Sequence, residues 1–163
     1  MNRLRRLVLG GALGLALLSS LLAAPPALGD AQTRRLELNL IRPQFTSFTC
    51  LNNSCSLAQA TVAGTATSNL ATGAGSFAGT LIVDFSPGGT CNIVDESDTF
   101  SFGNGTISVH SHHEDCATQG LRIDTTFDVT GGTGAFQGAT GGGREKASAA
   151  APAPVNYIGT ISF

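Results

Sequence analysis

The chain has few charged and aromatic residues, and several patterns that would identify a function are missing from it. Only 12% of its 163 residues are Asp, Glu, Lys or Arg, and it contains no Trp. No window repeats apolar residues at helical spacing, which argues against a helical fold. No Cys-x-x-Cys pair indicates a zinc or redox centre, and no Gly-x-Ser-x-Gly motif indicates a hydrolase of that type.

The first 29 residues have the pattern of an export signal. Three arginines precede an apolar run at 7–24, and Ala27-Leu28-Gly29 places small residues before a cleavage point. An apolar run of this length could also anchor the chain in a bilayer, but Pro25-Pro26 and the small residues favour cleavage. We therefore expect residues 30–163 to form one mature domain that is secreted or periplasmic and is not held in the membrane.

Basic residues are scarce once the signal is removed. The mature chain keeps six Lys/Arg against eleven Asp/Glu, which gives a net charge of −5 with His neutral. A protein that binds nucleic acid needs a basic face, so this balance argues against a nucleic-acid partner.

The mature chain has the alternation and glycine punctuation of β structure. Leu36, Leu38 and Leu40 alternate with polar residues in a first strand, and a second is predicted at 45–50, after Pro43. Further strands are predicted at 56–67, 76–86 and 107–113, with Gly103-Asn104-Gly105 as a hairpin turn. This spacing predicts an all-β fold, a single antiparallel β-barrel of about eight strands.

The most informative stretch is Phe127–Gly143. Alternation at 121–130 predicts a strand, Gly131–Gly134 a tight turn, and Phe136 the return of an apolar group to a neighbouring strand. Gly132-Thr133-Gly134 resembles the start of a dinucleotide fingerprint, but Gln137 stands where the third glycine belongs and no helix follows. A β-hairpin is the better interpretation.

The same stretch resembles the glycine-rich hairpin of the allene oxide cyclase/dirigent barrel superfamily, and in particular small secreted bacterial proteins with an allene oxide cyclase barrel-like domain. The match lies at Gly132, Thr133, Gly134, Phe136, Gly138, Ala139 and Gly141, and the segment 157–163 is similar to the family's last strand. The resemblance implies an eight-stranded barrel with an apolar interior. Plant members act on fatty-acid epoxides or direct phenoxy-radical coupling, typically as trimers, so a homo-oligomer is implied. No position matches their catalytic residues, and none is transferred.

Four cysteines remain in the mature chain. An even number in an exported protein predicts disulfides. Three pairings are open, and we favour Cys50–Cys55 and Cys91–Cys116, because the segment 51–54 is a good turn that would bring the first pair together.

The densest cluster of reactive side chains is His110–Cys116. On a strand, His110 and His112 share one face, and His113 and Asp115 share the other. The pair His110 and His112 could bind zinc or copper if a third ligand came from Asp95, Glu96 or Asp98 on an adjacent strand. Glu114 or Asp115 beside a histidine could also transfer protons. Both patterns are generic, so we assign no metal, no cofactor and no catalytic residue.

Three function classes are open: an exported barrel that binds an apolar small molecule, a cyclase or isomerase that uses the same cavity, and a packed structural or interaction barrel. Strand alternation predicts a set of inward apolar side chains as pocket-lining candidates. They are Leu81, Val83, Phe85, Phe100, Phe102, Leu121, Ile123 and Phe127. None of them is titratable, so the sequence favours binding without catalysis.

Overall fold

Eight strands account for almost all of the regular structure in the computed structural model, which describes residues 31–85, 91–116, 123–147 and 154–163. The export signal predicted at 1–29 and the candidate Leu121 lie outside the described residues. The strands are β1 Thr33–Cys50, β2 Leu57–Ser68, β3 Gly75–Asp84, β4 Cys91–Phe102, β5 Gly105–Cys116, β6 Ile123–Gly132, β7 Thr140–Ala147 and β8 Val155–Ser162. Within those ranges, no helix is long and apolar enough to cross a membrane.

Each strand pairs antiparallel with the next along the chain, and β8 pairs with β1 to close the barrel. The predicted fold class is therefore confirmed. Closure leaves no free sheet edge, so every strand buries one face against the interior. Alternation sets which face: Leu36, Leu38 and Leu40 of β1 point inward and are almost fully buried.

One predicted strand boundary is wrong. The segments on either side of Pro43 form the single strand β1, whose register shifts between Ile41 and Gln44 and again between Phe45 and Ser47. Proline has no N–H for the ladder, so a strand can continue past it where a bulge already interrupts pairing. Pro43 lies within the first of these bulges.

The hairpin at 127–143 exists, but its predicted turn is wrong. Gly131 and Gly132 continue β6, and β7 starts only at Thr140, so Val129 pairs with Gly141 rather than with a residue in 135–139. A 3₁₀ helix at Gly134–Phe136 fills the gap. Gly134 has a φ of +61°, and a Cβ there would lie 2.5 Å from the Asn104 carbonyl oxygen, so the loop needs glycine at this position.

Aromatic rings close the barrel at the end that carries this loop. The rings of Phe136 and Phe163 meet edge to face, with centroids 5.3 Å apart. Deeper in the barrel, Phe77, Phe100, Tyr157 and Phe127 form a chain of ring contacts between opposite walls, at centroid distances of 5.2–5.3 Å. The interior around these rings is therefore packed solid.

Both predicted disulfides, Cys50–Cys55 and Cys91–Cys116, are confirmed, and no free cysteine is found among the described residues. They lie at the end of the barrel opposite to Phe136 and Phe163, where β1 and β5 end and β4 begins. Loop-closure entropy gives about 2 kcal/mol for the short loop and about 3.5 kcal/mol for the long one. Such bonds persist in oxidising compartments.

Candidate functional site

A cavity of about 540 Å³ opens at the end of the barrel that carries the disulfides. Nine of its eleven wall residues belong to β1, β3 and β4 or follow them directly. The wall consists of Phe45, Thr46, Ser47, Phe48, Ala60, Leu81, Val83, Phe85, Asn92, Val94 and Asp115. Its size lies within the range of small-molecule sites in proteins, about 300–1,000 Å³.

The rim of the cavity is apolar and exposed. Phe45 is 76% exposed, Phe48 59% and Phe85 39%. Below the rim the wall is made of Ala60, Leu81 and other aliphatic side chains. Ala60 pairs directly with Leu81 across β2 and β3, and its short side chain leaves the space that a larger residue would fill. Large apolar groups left in water are costly and mark a surface that something covers.

The predicted pocket-lining residues lie in different parts of the barrel. Leu81, Val83 and Phe85 line the cavity. Phe100 and Phe127 instead lie in the solid core, and Phe102 packs against it. Ile123 faces inward but is only half-buried and lies outside the cavity wall. Contact of any of these residues with a ligand stays a prediction.

A cluster of acids lies inside the barrel, next to the cavity. We define the acid cluster as Glu96 and Asp98 of β4, Glu145 of β7 and Tyr157 of β8. Glu96 is 7% exposed, Asp98 2% and Glu145 1%. The Tyr157 hydroxyl crosses the barrel and donates a hydrogen bond of 2.5 Å to Asp98 Oδ2. Asp98 Oδ1 and Glu145 Oε2 are buried without a hydrogen-bond partner in the described part of the chain.

Burial raises the pKa of every member of the acid cluster. It raises the pKa of Glu96 to about 10, and the charges of Asp98 and Glu145 add to the shift. Burial also raises the pKa of Asp98 to about 6, although the hydrogen bond from Tyr157 favours its ionised form. Burial likewise raises the pKa of Glu145 to about 7 and that of Tyr157 well above its usual range. Two of the acids therefore change charge near neutral pH.

The backbone makes room for this cluster at Gly79. Gly79 is the cross-strand partner of Asp98, and a Cβ at that position would meet Asp98 Oδ1. The next inward residue on β3 is Leu81, which lines the cavity and pairs with Glu96. The acid cluster thus begins directly beside the inner end of the cavity and continues away from it.

This cluster was not predicted from the sequence, because the residues predicted to point inward include no titratable group. The signal was present in β4, where Val94, Glu96, Asp98 and Phe100 occupy alternate positions. Because alternate residues of a strand share a face, two inward apolar residues place the acids between them inside as well. Glu145 carries no such signal, since glycines precede it on β7.

The histidine cluster divides between the two faces as predicted. His113 and Asp115 face inward, and Asp115 lines the cavity. Burial lowers the pKa of His113. His110 and His112 point outward, where both contact Asp95 of the adjacent β4. Glu114 also faces outward; it lies within 4.8 Å of Cys91 and Cys116, but those sulfurs form a disulfide and are not free to bind a metal.

Comparison with known proteins gives fold likeness only. No family model and no curated protein matches the chain. A solved structure of pyocyanin demethylase is similar, with a TM-score of 0.52 and 14% identity over 80% of this chain and 99% of that chain. A pterocarpan synthase dirigent protein has a TM-score of 0.46 and 16% identity over 85% and 94%. The chain therefore shares its barrel fold with pyocyanin demethylase, and its membership of the allene oxide cyclase/dirigent superfamily stays a prediction.

Proposed function

We propose that the protein is an exported barrel that binds an apolar small molecule in the cavity at its disulfide-bonded end. The observation that carries the proposal is the open cavity of about 540 Å³ beneath an exposed phenylalanine rim. A barrel filled by its own side chains, as a purely structural protein would be, has no such space. Export is supported by the two disulfides together with the N-terminal signal pattern.

The wall of the cavity supports a ligand that is mostly hydrocarbon with a few polar groups. Phe45, Phe48 and Phe85 offer ring faces, while Thr46, Asn92 and Asp115 offer hydrogen-bonding groups. Binding sites for small molecules combine a large apolar area with a few polar groups that fix orientation. The structural neighbour named pyocyanin demethylase is, by its name, a barrel that acts on a small molecule.

The proposal predicts that Phe48→Asp weakens binding of an apolar fluorescent probe to the mature protein by about tenfold or more. Covering one phenylalanine is worth about 1.5–3 kcal/mol, and a carboxylate at the rim repels an apolar ligand as well. Phe48 is 59% exposed, so the variant should still fold. Fluorescence titration, with circular dichroism as a folding check, measures the effect.

Ile158→Asp is the matched control, since Ile158 is 44% exposed but lies on β8, away from the cavity. It should bind the probe as the wild type does. Failure of the folded wild type to bind, or equal binding by both variants, would contradict the proposal.

Proton transfer to the bound molecule is a second candidate function, of the isomerase or cyclase class. The observation that favours it is the acid cluster, because three buried carboxyl groups are costly and two of their oxygens have no hydrogen-bond partner among the described residues. Perturbed acids beside an apolar cavity are typical of sites of acid–base chemistry. Glu145 and Asp98, with pKa values near neutral, could accept or donate a proton at neutral pH.

Deuterium uptake tests this second function. An apolar ketone that displaces the fluorescent probe is incubated with the protein in D₂O, and exchange next to its carbonyl group is followed by NMR. The wild type should accelerate exchange, and Asp98→Asn with Glu145→Gln should remove the acceleration while probe binding persists. Equal exchange rates with both proteins would leave binding as the only function.

A further inference from the structure

The outer face of the barrel carries a cluster that neither the cavity nor the acid cluster uses. It consists of His110 and His112 on β5 and Asp95 on β4. The three side chains are partly exposed, with 38%, 61% and 48% of their surface accessible in that order. They therefore face solvent rather than the barrel interior.

Strand register brings the three residues together. His110 and His112 are two positions apart on β5, so their side chains project from the same face about 7 Å apart at the backbone. Asp95 is the direct cross-strand partner of His112 and lies diagonal to His110. Its carboxylate spans the two rings, with Oδ1 3.2 Å from His110 Nε2 and Oδ2 3.4 Å from His112 Nδ1.

We infer that Asp95, His110 and His112 form a binding site for a divalent transition-metal ion with the ligand preferences of zinc. Two imidazoles and one carboxylate are a donor set that suits zinc and leaves a position for water. Ligand atoms about 2.0–2.1 Å from a tetrahedral ion lie roughly 3.3 Å from one another. Each ring nitrogen lies close to that separation, at 3.2 and 3.4 Å, but from a different oxygen of Asp95, so binding one ion requires the exposed rings to turn toward a shared oxygen.

The charge around the site supports a cation. Asp128 of β6 is the cross-strand partner of His110 and is exposed, and Glu114 follows His112 on the same outward face. The face therefore carries three acidic side chains beside the two imidazoles. Magnesium and calcium prefer sets made only of oxygen ligands, so the two imidazoles select against them.

The site is independent of the proposed ligand cavity. Alternation places His113 and Asp115, which follow the two proposed ligands on β5, on the inner face, and Asp115 lines the cavity. Removing the metal ligands should leave probe binding unchanged, so the two proposals can fail separately.

Titration of the metal-free mature protein with zinc chloride tests the inference. Calorimetry should detect one ion per chain, and an excess of magnesium should not compete. Asp95→Asn and His110→Gln should each weaken zinc affinity by more than about tenfold. Removing a group that only orients a ligand already costs about 10–100-fold, and removing a ligand should cost at least as much. Cobalt(II) should give the visible absorption of a four-coordinate ion in the wild type and lose it in both variants.

His113→Gln is the matched control, because it removes an imidazole from the same strand but from the opposite face. It should bind zinc as the wild type does. Absence of zinc binding, unchanged affinity in Asp95→Asn, or a loss of affinity confined to His113→Gln would each overturn the inference. In the first two cases the contacts of Asp95 with the histidines are only surface hydrogen bonds.

Discussion

Raising the pH from about 4.5 to about 8 is expected to lower the free energy of unfolding of the barrel by several kcal/mol. Folding raises the pKa of Asp98 to about 6 and that of Glu145 to about 7, so above pH 4 the folded state holds more protons than the unfolded chain. Stability from a raised pKa is complete below the unfolded value and is lost as the pH rises through the folded value. Each of these two groups is worth on the order of 3 kcal/mol.

The other groups that titrate in the barrel interior do not reverse this trend. Glu96, with a pKa of about 10, extends the loss of stability beyond neutral pH. His113 works in the opposite direction, because burial lowers its pKa and the folded state then resists its protonation. Its effect is confined to pH below about 6.5.

Urea unfolding at a series of pH values measures this dependence. Glu145→Gln should flatten the pH profile and raise stability at pH 8, because it removes a carboxylate that must ionise while buried. Asp128→Asn, on the exposed face of the neighbouring β6, should leave the profile unchanged. A wild-type profile that rises from pH 4.5 to 8 would show that the acids are not buried as described.

Phe100→Ala is expected to lower the free energy of unfolding by about 3–5 kcal/mol. Phe100 is fully buried, and its ring contacts Phe77 and Tyr157 at centroid distances of 5.2 and 5.3 Å. Replacing it leaves a void among closely packed rings. Because Phe100 does not line the cavity, the affinity for an apolar probe should remain within about twofold of the wild type under conditions where the variant is folded.

Phe48→Ala is the control for that variant and should behave in the opposite way. Its ring is mostly exposed at the cavity rim, so the change in unfolding free energy should stay within about 0.5 kcal/mol while probe binding weakens. Thermal or urea unfolding of both variants decides the question. A cost below about 1 kcal/mol for Phe100→Ala would mean that the interior is not close-packed around this ring.

The strand pattern and the Cys50–Cys55 disulfide were predictable because they depend on local rules. Alternation with polar residues predicts that Leu36, Leu38 and Leu40 face inward, and a turn separates Cys50 from Cys55. The hairpin register was not predictable in this way. The end of β6 is set by pairing of Gly131 and Gly132 with β5, and the loop is set by contacts with Asn104. Both are tertiary contacts that a local pattern does not contain.

The candidate site was predictable only in part, for a related reason. Alternation identifies which residues point inward but not how far along the barrel axis each one lies. Phe100 and Val83 both point inward, yet Phe100 lies in the packed core and Val83 lines the cavity. The position of Asp95 between His110 and His112 likewise depends on the register of β4 and β5, which sequence spacing alone left open.

The claim that the disulfide-bonded end of the barrel binds an apolar molecule is tested most directly by locating a bound probe. Amide chemical shifts of the mature, isotope-labelled protein, recorded with and without the apolar probe, would do so. We expect the largest changes at Phe45, Phe48, Leu81 and Asp115, with little change at Phe136 and Phe163 at the closed end. Changes concentrated at the closed end, or spread evenly over the outer surface, would contradict the account.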